Sequence, residues 1–358
     1  MMRILIIGGG ISGVSAAAAL APHAAVTLAE AEPALGYHAS GRSAAMFLAG
    51  YGNAVVRALN TQAAPVHDRM GVLSPRGVLL VATPATEALF EADIAEDALP
   101  EWTVKAACAR MPILNPETVT RAAYIDAAQD VDTDAALQQF ARQARAEGAQ
   151  LITDAPVTEI ARTPTGWTVT TKAQSFGADL IVNAAGAWAD QVATMAGRTP
   201  VGLVPYRRSV ARTPAPGGHD VRTWPMLLGA GERWYAKPDA GAWLISPAEE
   251  DATDPHDAYA EDLVLAEGIA RYEEHVTEPV TRVTSNWAGL RTFAPDRTPV
   301  IGPDPADPTF FWLAGQGGYG YQIAPAAAAL TADLILGKTP ALAPQILDAL
   351  APGRNGLG

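Results

Sequence analysis

At 358 residues, with 49% apolar and only 18% charged side chains, the chain is long enough for two domains or one large α/β domain carrying an insert. Its 25 basic against 38 acidic residues give a net charge of −13, which excludes a nucleic-acid partner gripped by clustered Lys and Arg, and a basic face resting on anionic lipid. One cysteine, Cys108, excludes an intramolecular disulfide framework, and six dispersed histidines without metal-ligand spacing leave no metal site to expect.

The run Met2-Arg3-Ile4-Leu5-Ile6-Ile7 breaks at Gly8-Gly9-Gly10-Ile11-Ser12-Gly13. It is too short for a secretory signal or a bilayer span, and no later segment offers an uninterrupted transmembrane run, so the expected compartment is the cytoplasm. A buried strand, a glycine turn and a helix start in that order form the opening of a dinucleotide-binding βαβ unit. Gly8 allows the tight turn, Gly10 lets backbone approach a pyrophosphate, and Gly13 lets the helix pack closely on the strand. The helix reads Val14 to Leu20. A second strand, Ala25 to Ala29, ends at Glu30, placed to accept hydrogen bonds from ribose hydroxyls. Alone, this unit does not choose between FAD and NAD.

Next comes a second glycine-rich stretch, Gly36-Tyr37-His38-Ala39-Ser40-Gly41-Arg42-Ser43-Ala44-Ala45, which composition alone would leave as a loop with Arg42 at the surface. Asp132 to Ala144 reads as a capped amphipathic helix stopped near Gly148, followed by a short strand Gln150-Leu151-Ile152. Two strands, 156–160 and 167–170, pair around the turn Thr163-Pro164-Thr165-Gly166. The run from Ala178 to Trp188 is a buried parallel strand giving way to small residues (Ala184, Ala185, Gly186, Ala187) that admit a ligand to backbone. Between about 204 and 286 strands alternate and prolines are frequent, as in an antiparallel sheet inserted into the nucleotide-binding fold. The acidic stretch 249–254 reads as a solvated loop. The last block is a strand, Phe310 to Ala314, then Gly315-Gln316-Gly317-Gly318-Tyr319-Gly320, then a helix from about Gln322 to Leu336 with Pro325 in its first turn. A glycine loop running into a helix N-terminus presents N–H groups and partial positive charge to an anionic ligand.

Taken with Val182-Asn183-Ala184-Ala185-Gly186-Ala187-Trp188 and Trp287-Ala288-Gly289-Leu290-Arg291-Thr292-Phe293, these loops resemble the flavoenzyme family of D-amino acid oxidases and dehydrogenases, from the N-terminus to about residue 337. Within it the nearest likeness is to D-arginine dehydrogenase, through the 36–45 stretch, Tyr51-Gly52, part of Tyr206-Arg207-Arg208-Ser209, and Tyr235 to Gly241. The resemblance implies a Rossmann-like FAD-binding domain (1–76, 133–203 and 287–346) with an interleaved α+β substrate domain (77–132 and 204–286) carrying an antiparallel sheet, and a C-terminal tail, 347–358. It implies non-covalent FAD, held by Gly8, Gly10, Ile11, Ser12, Gly13 and Glu30, by His38 and Ser40 to Ala45 (Gly41, Arg42, Ser43 and Ala44 included) and by Val157. Ala185, Gly186, Trp188, Gly315, Gly317, Gly318, Tyr319, Gly320 and Gln322 complete that set.

On the substrate side, an amino acid needs its carboxylate clamped so that the Cα hydrogen points at flavin N5, and a planar guanidinium does this bidentately. The resemblance gives that role to Arg291. Arg207 and Arg208 are strand neighbours that face opposite ways, so only one can reach a site, and the resemblance selects Arg208. Tyr235 and Tyr51 match tyrosines at the carboxylate, and the Gly318 carbonyl matches an acceptor for the amine. Where the relative holds a glutamate, a histidine and a threonine around a basic side chain, this chain has Val78, Met46 and Leu48. Losing the carboxylate removes the partner that offsets desolvation of a guanidinium. The implied activity is oxidation of a D-amino acid with a neutral or hydrophobic side chain: hydride passes from Cα to flavin N5, and the imino acid hydrolyses to the 2-oxo acid and ammonia. A glycine- or sarcosine-type amine oxidase, an L-2-hydroxy acid oxidase, an NAD-dependent dehydrogenase and a non-catalytic flavin-binding protein stay open, as does the electron acceptor: oxygen, a quinone or a carrier.

Overall fold

A computed structural model describes residues 1–97 and 99–357. Its nucleotide-binding side is a six-stranded sheet ordered Val300–Pro303, Phe310–Ala314, Leu180–Asn183, Arg3–Ile7, Ala25–Ala29, Gln150–Ile152. All neighbours are parallel except the edge strand Val300–Pro303. Alternation along Arg3–Ile7 sorts the two faces. Ile4 and Ile6 pack into the helices Ile11–Leu20, Ala54–Met70, Thr133–Ala146 and Gly320–Ile335. Leu5 and Ile7 pack under Trp167 and Val169 of a three-stranded antiparallel sheet. That sheet holds the strand pair expected around Thr163 to Gly166, now Val157–Thr163 and Gly166–Thr171. The Rossmann-like fold with a second, sheet-bearing part is the architecture expected. Among the described residues no helix is long and apolar enough to cross a membrane.

The second large sheet has nine strands. Val204–Thr213 pairs with Ser285–Phe293 from Val204 to Arg212, and the sheet continues through Ala242–Ser246, Tyr235–Asp239 and Met226–Gly229. Met226–Gly229 then pairs in parallel with Val78–Ala82, the one departure from an antiparallel pattern here, before Arg121–Ile125 and Glu101–Trp102. One face is covered by Trp224, Trp234, Trp243 and Tyr272, which bury Leu79, Val81 and Leu227. The opposite face carries Arg208, Tyr235 and Arg291.

Helix starts differ from expectation in an informative way. The first helix begins at Ile11 rather than Val14, so Gly13 lies inside it, and a Cβ there would sit 1.9 Å from the Gly8 carbonyl oxygen. The last helix begins at Gly320, which puts Pro325 in the second turn instead of the first. Proline cannot donate there, so the Tyr321 carbonyl loses its helical partner. The buried His67 ring lies against this stretch, 3.0 Å from the Gln322 carbonyl oxygen.

Candidate active site

Between the two large sheets runs a cavity of about 430 Å³. Its nucleotide end begins where Arg3–Ile7 and Ala25–Ala29 stop, with Gly8, Gly10, Ile11, Ser12 and Glu30, and continues to Val157 beside Ala155 and Pro156. Gly8 takes φ +109°, and a Cβ on it would lie 2.4 Å from the Ala184 carbonyl oxygen, so this turn admits only glycine. The buried Glu30 carboxylate accepts the Gly9 N–H at 2.5 Å and the Glu32 N–H at 2.9 Å, so it orders the glycine turn as well as lining the cavity.

The loop 36–45 supplies the adjoining wall with His38, Ser40, Arg42, Ser43 and Ala44. Ser40 Oγ accepts the Ile11 N–H at 2.9 Å and so locks this wall to the helix start. The His38 ring sits 3.0 Å from Glu32 and packs on Trp188. Ala185, Gly186 and Trp188 close the far side, where a Cβ on Gly186 would meet nothing within 4 Å. Gly317, Gly318 and Gly320 bring the last helix start to the cavity.

At the sheet end stand Arg208, Tyr235 and Arg291. The alternation expected of the Arg207-Arg208 pair is present: Arg207 pairs outward with Asp251 and Glu261, and Arg208 turns inward. Arg208 Nε donates to the Glu249 carbonyl at 2.8 Å and its Nη2 to Glu250 at 3.2 Å. Burial, and next the Arg291 charge, hold Arg208 below the usual guanidinium range. The Arg291 guanidinium forms no hydrogen bond or ion pair among the described residues, and its Cζ lies 3.1 Å from the point a Cβ on Gly318 would occupy. Although burial works against its charge, Tyr235, Tyr51, Glu232 and Glu250 raise its affinity for the proton. The stretch 249–254 is therefore not simply a solvated loop. Glu249 accepts the Ser209 N–H at 2.7 Å and Glu250 faces Arg208, because a buried guanidinium draws acceptors to itself.

Several expected residues lie outside this cavity's lining. Gly13, Gly41 and Gly315 shape the backbone around it; a Cβ on Gly41 would meet the Gly36 carbonyl oxygen at 2.5 Å. The Ala45 carbonyl accepts the Val131 N–H. Gln322 uses its Oε1 to accept the Leu48 N–H at 2.9 Å. Tyr51 donates to Glu232 at 3.0 Å and packs edge-on to Tyr319. Burial and then Glu232 push its hydroxyl up. Met46 pairs with Asp130 on a neighbouring strand, and Val78 is buried two strands from Tyr235, so the three pocket residues also stand back from the wall. Cys108 lies on the helix Val104–Arg110, away from the cavity, as expected of a half-buried thiol.

Sequence reading missed Gln191, Val192 and Met195 of the helix Ala189–Met195, and His256 and Ala258 of the loop after the acidic stretch. It also missed Thr292 and Gln316, both in the lining, whose Oγ1 and Nε2 are buried with no partner among the described residues.

Residues 3–334 match the family described as FAD dependent oxidoreductase (DAO). FAD-dependent oxidoreductase domain-containing protein 1 of Xenopus laevis is 29% identical over 189 residues, 46% of this chain and 36% of that protein. Human mitochondrial dimethylglycine dehydrogenase is 28% identical over 264 residues, 68% of this chain and 30% of that protein. The matches thus span about a third of these relatives' length. In fold, L-proline dehydrogenase from P. horikoshii superposes with a TM-score of 0.82 at 23% identity, covering 98% of this chain and 96% of that one. Glycine oxidase from Geobacillus kaustophilus gives 0.82 at 23%, covering 99% and 100%. The narrower likeness to D-arginine dehydrogenase finds no support among these neighbours.

The cavity fits FAD. Two helix starts, the glycines that leave its wall bare, and the unpartnered Thr292 and Gln316 are what an extended dinucleotide with polar edges requires.

Proposed function

Since the chain belongs to the DAO family of FAD-dependent oxidoreductases, with FAD as a non-covalent cofactor, we propose that it oxidises D-amino acids with neutral or hydrophobic side chains. The observation that carries this reading is Arg291: a half-buried guanidinium in the cavity wall with no partner among the described residues, against Gly318 and beside the buried Arg208 and Tyr235. Two neighbouring cations call for an anion, and a carboxylate matches a guanidinium fork in both geometry and charge. In this reading Arg291 grips both carboxylate oxygens, Arg208 adds charge, the Tyr235 hydroxyl donates to one oxygen, and the Gly318 carbonyl accepts from the amine. Bound FAD supplies the two-electron acceptor for the Cα–H bond. The residues named here hold the substrate in one orientation and keep it from water, and no His, Asp or Glu is assigned as a base.

The side-chain preference rests on the sheet. Behind the cavity wall Val78 pairs with Met226, and in the next row Leu80 pairs with Leu228, which stands opposite Tyr235. Beside that row the buried Lys237 ammonium and the Arg76 guanidinium share the single Asp130 carboxylate, at 2.5 and 2.6 Å. A cationic side chain entering here would meet surplus positive charge. D-Leucine, D-methionine and D-phenylalanine are expected to turn over faster than D-arginine and D-lysine, and the reverse order in steady-state rates would sink this preference. A second reading, oxidation of glycine or an N-substituted glycine, draws on the names of the glycine oxidase and dimethylglycine dehydrogenase relatives.

A further inference from the structure

Arg42 sits on the loop that walls the cavity, yet its guanidinium is spent on protein. Nη1 donates to the carbonyls of Ala258 at 2.8 Å and Ala288 at 3.0 Å, and Nη2 pairs with the Asp257 carboxylate. The Arg42 carbonyl in turn accepts Trp287 Nε1–H at 3.0 Å. Residues 253–261, which include Asp257 and Ala258, run from the strand Asp251–Ala252 to the helix Asp262–Glu273. His256 and Ala258 of this segment line the cavity. Arg207 pairs with both Asp251 and Glu261, so one guanidinium gathers the two ends of the segment. The middle is fastened by Arg42, by His38, whose Nδ1 lies 3.8 Å from the Asp257 carboxylate, and by Ala258, which is buried against Ala187, Ala288 and Leu290.

The fastening is of the kind that opens. The Asp257 side chain is 58% exposed, so its attraction for Arg42 is screened by salt, and the apolar contact at Ala258 is small.

We propose that residues 253–261 form a strap over bound FAD, clasped by Arg42 onto Asp257 and Ala258. Arg42 then retains the cofactor through the strap, besides lining the cavity that holds it. This rests on the FAD-binding reading above and adds a segment that no flavin motif marks.

The test uses purified holoenzyme and follows recovery of flavin fluorescence after dilution into cofactor-free buffer. Asp257→Asn is expected to release FAD about fivefold faster at low salt. Wild-type release speeds up as salt is added, whereas Asp257→Asn shows little salt response, and Asp257→Glu restores slow release. Equal rates with equal salt dependence in wild type and Asp257→Asn would overturn the strap. Independently of any variant, amide hydrogen exchange across 253–261 in wild type should be slow with FAD bound and fast after its removal. Identical exchange in both states would also overturn it. A protein that never takes up FAD would instead overturn the cofactor reading on which the strap depends.

Discussion

Arg208 and Arg291 place two guanidiniums in one wall of the cavity, and of the two only Arg208 has partners among the described residues. Arg208 is committed to Glu249 and Glu250, so it contributes field and shape. Arg291 retains its full fork for a ligand. The division of labour predicts unequal consequences of mutation.

Arg291→Lys keeps a charge but loses the planar fork, so kcat/KM for the amino acid should fall about 100-fold or more, while FAD content stays at the wild-type level. Stopped-flow reduction of bound flavin and the visible spectrum of the purified variant check both halves. Near-normal reduction by substrate would remove Arg291 from the clamp.

Tyr235→Phe deletes one hydroxyl and leaves the ring in its strand. A net hydrogen bond is worth about 1 kcal/mol, so KM should rise about fivefold with kcat changed less. A loss confined to kcat would mean that the hydroxyl acts on the reacting centre instead.

Gly13→Ala drives a methyl into the Gly8 carbonyl, 1.9 Å away, in the turn that faces the cofactor. Destabilisation of about 3 kcal/mol, with flavin largely lost on purification, is the expected outcome. Gly50→Ala, where a Cβ meets nothing within 4 Å, should stay within about 0.5 kcal/mol of wild type. Denaturant melts and the ratio of flavin to protein absorbance compare the two.

His67 and His275 are both held below the usual imidazole range, first of all by burial. Each folded-state pKa is lower than in the unfolded chain, so the unfolded state binds protons first as pH falls. Their contribution is complete above the unfolded value of about 6.5 and is lost as pH drops through the folded value. Tm should therefore decline from about pH 7 downward, and His67→Gln should flatten part of that decline. A melting temperature unchanged across this window would contradict the assignment.

Local features of this chain were legible because they depend on neighbours in sequence. Gly8 to Gly13 and Glu30 lie within one βαβ unit, and the Arg207-Arg208 alternation follows from the pleat. What escaped reading depends on distant contacts. Arg42 lines the cavity as expected of a cofactor residue, but nothing near it in sequence reveals that Asp257, 215 positions away, takes its charge. Glu249 and Glu250 looked solvated because their partner Arg208 comes from another strand. Pro325 was placed in a first turn because the helix start depends on the tight turn at Gly317, whose φ of +52° no composition rule reports.

If Arg291, Arg208 and Tyr235 present a D-amino acid to FAD, anaerobic mixing of the holoenzyme with D-leucine, L-leucine, glycine, sarcosine and 2-hydroxy acids should separate them by the flavin's visible absorbance. Rapid bleaching by D-leucine and little by the others is the expected result. Bleaching by sarcosine, L-leucine or a 2-hydroxy acid with D-leucine inert would contradict it.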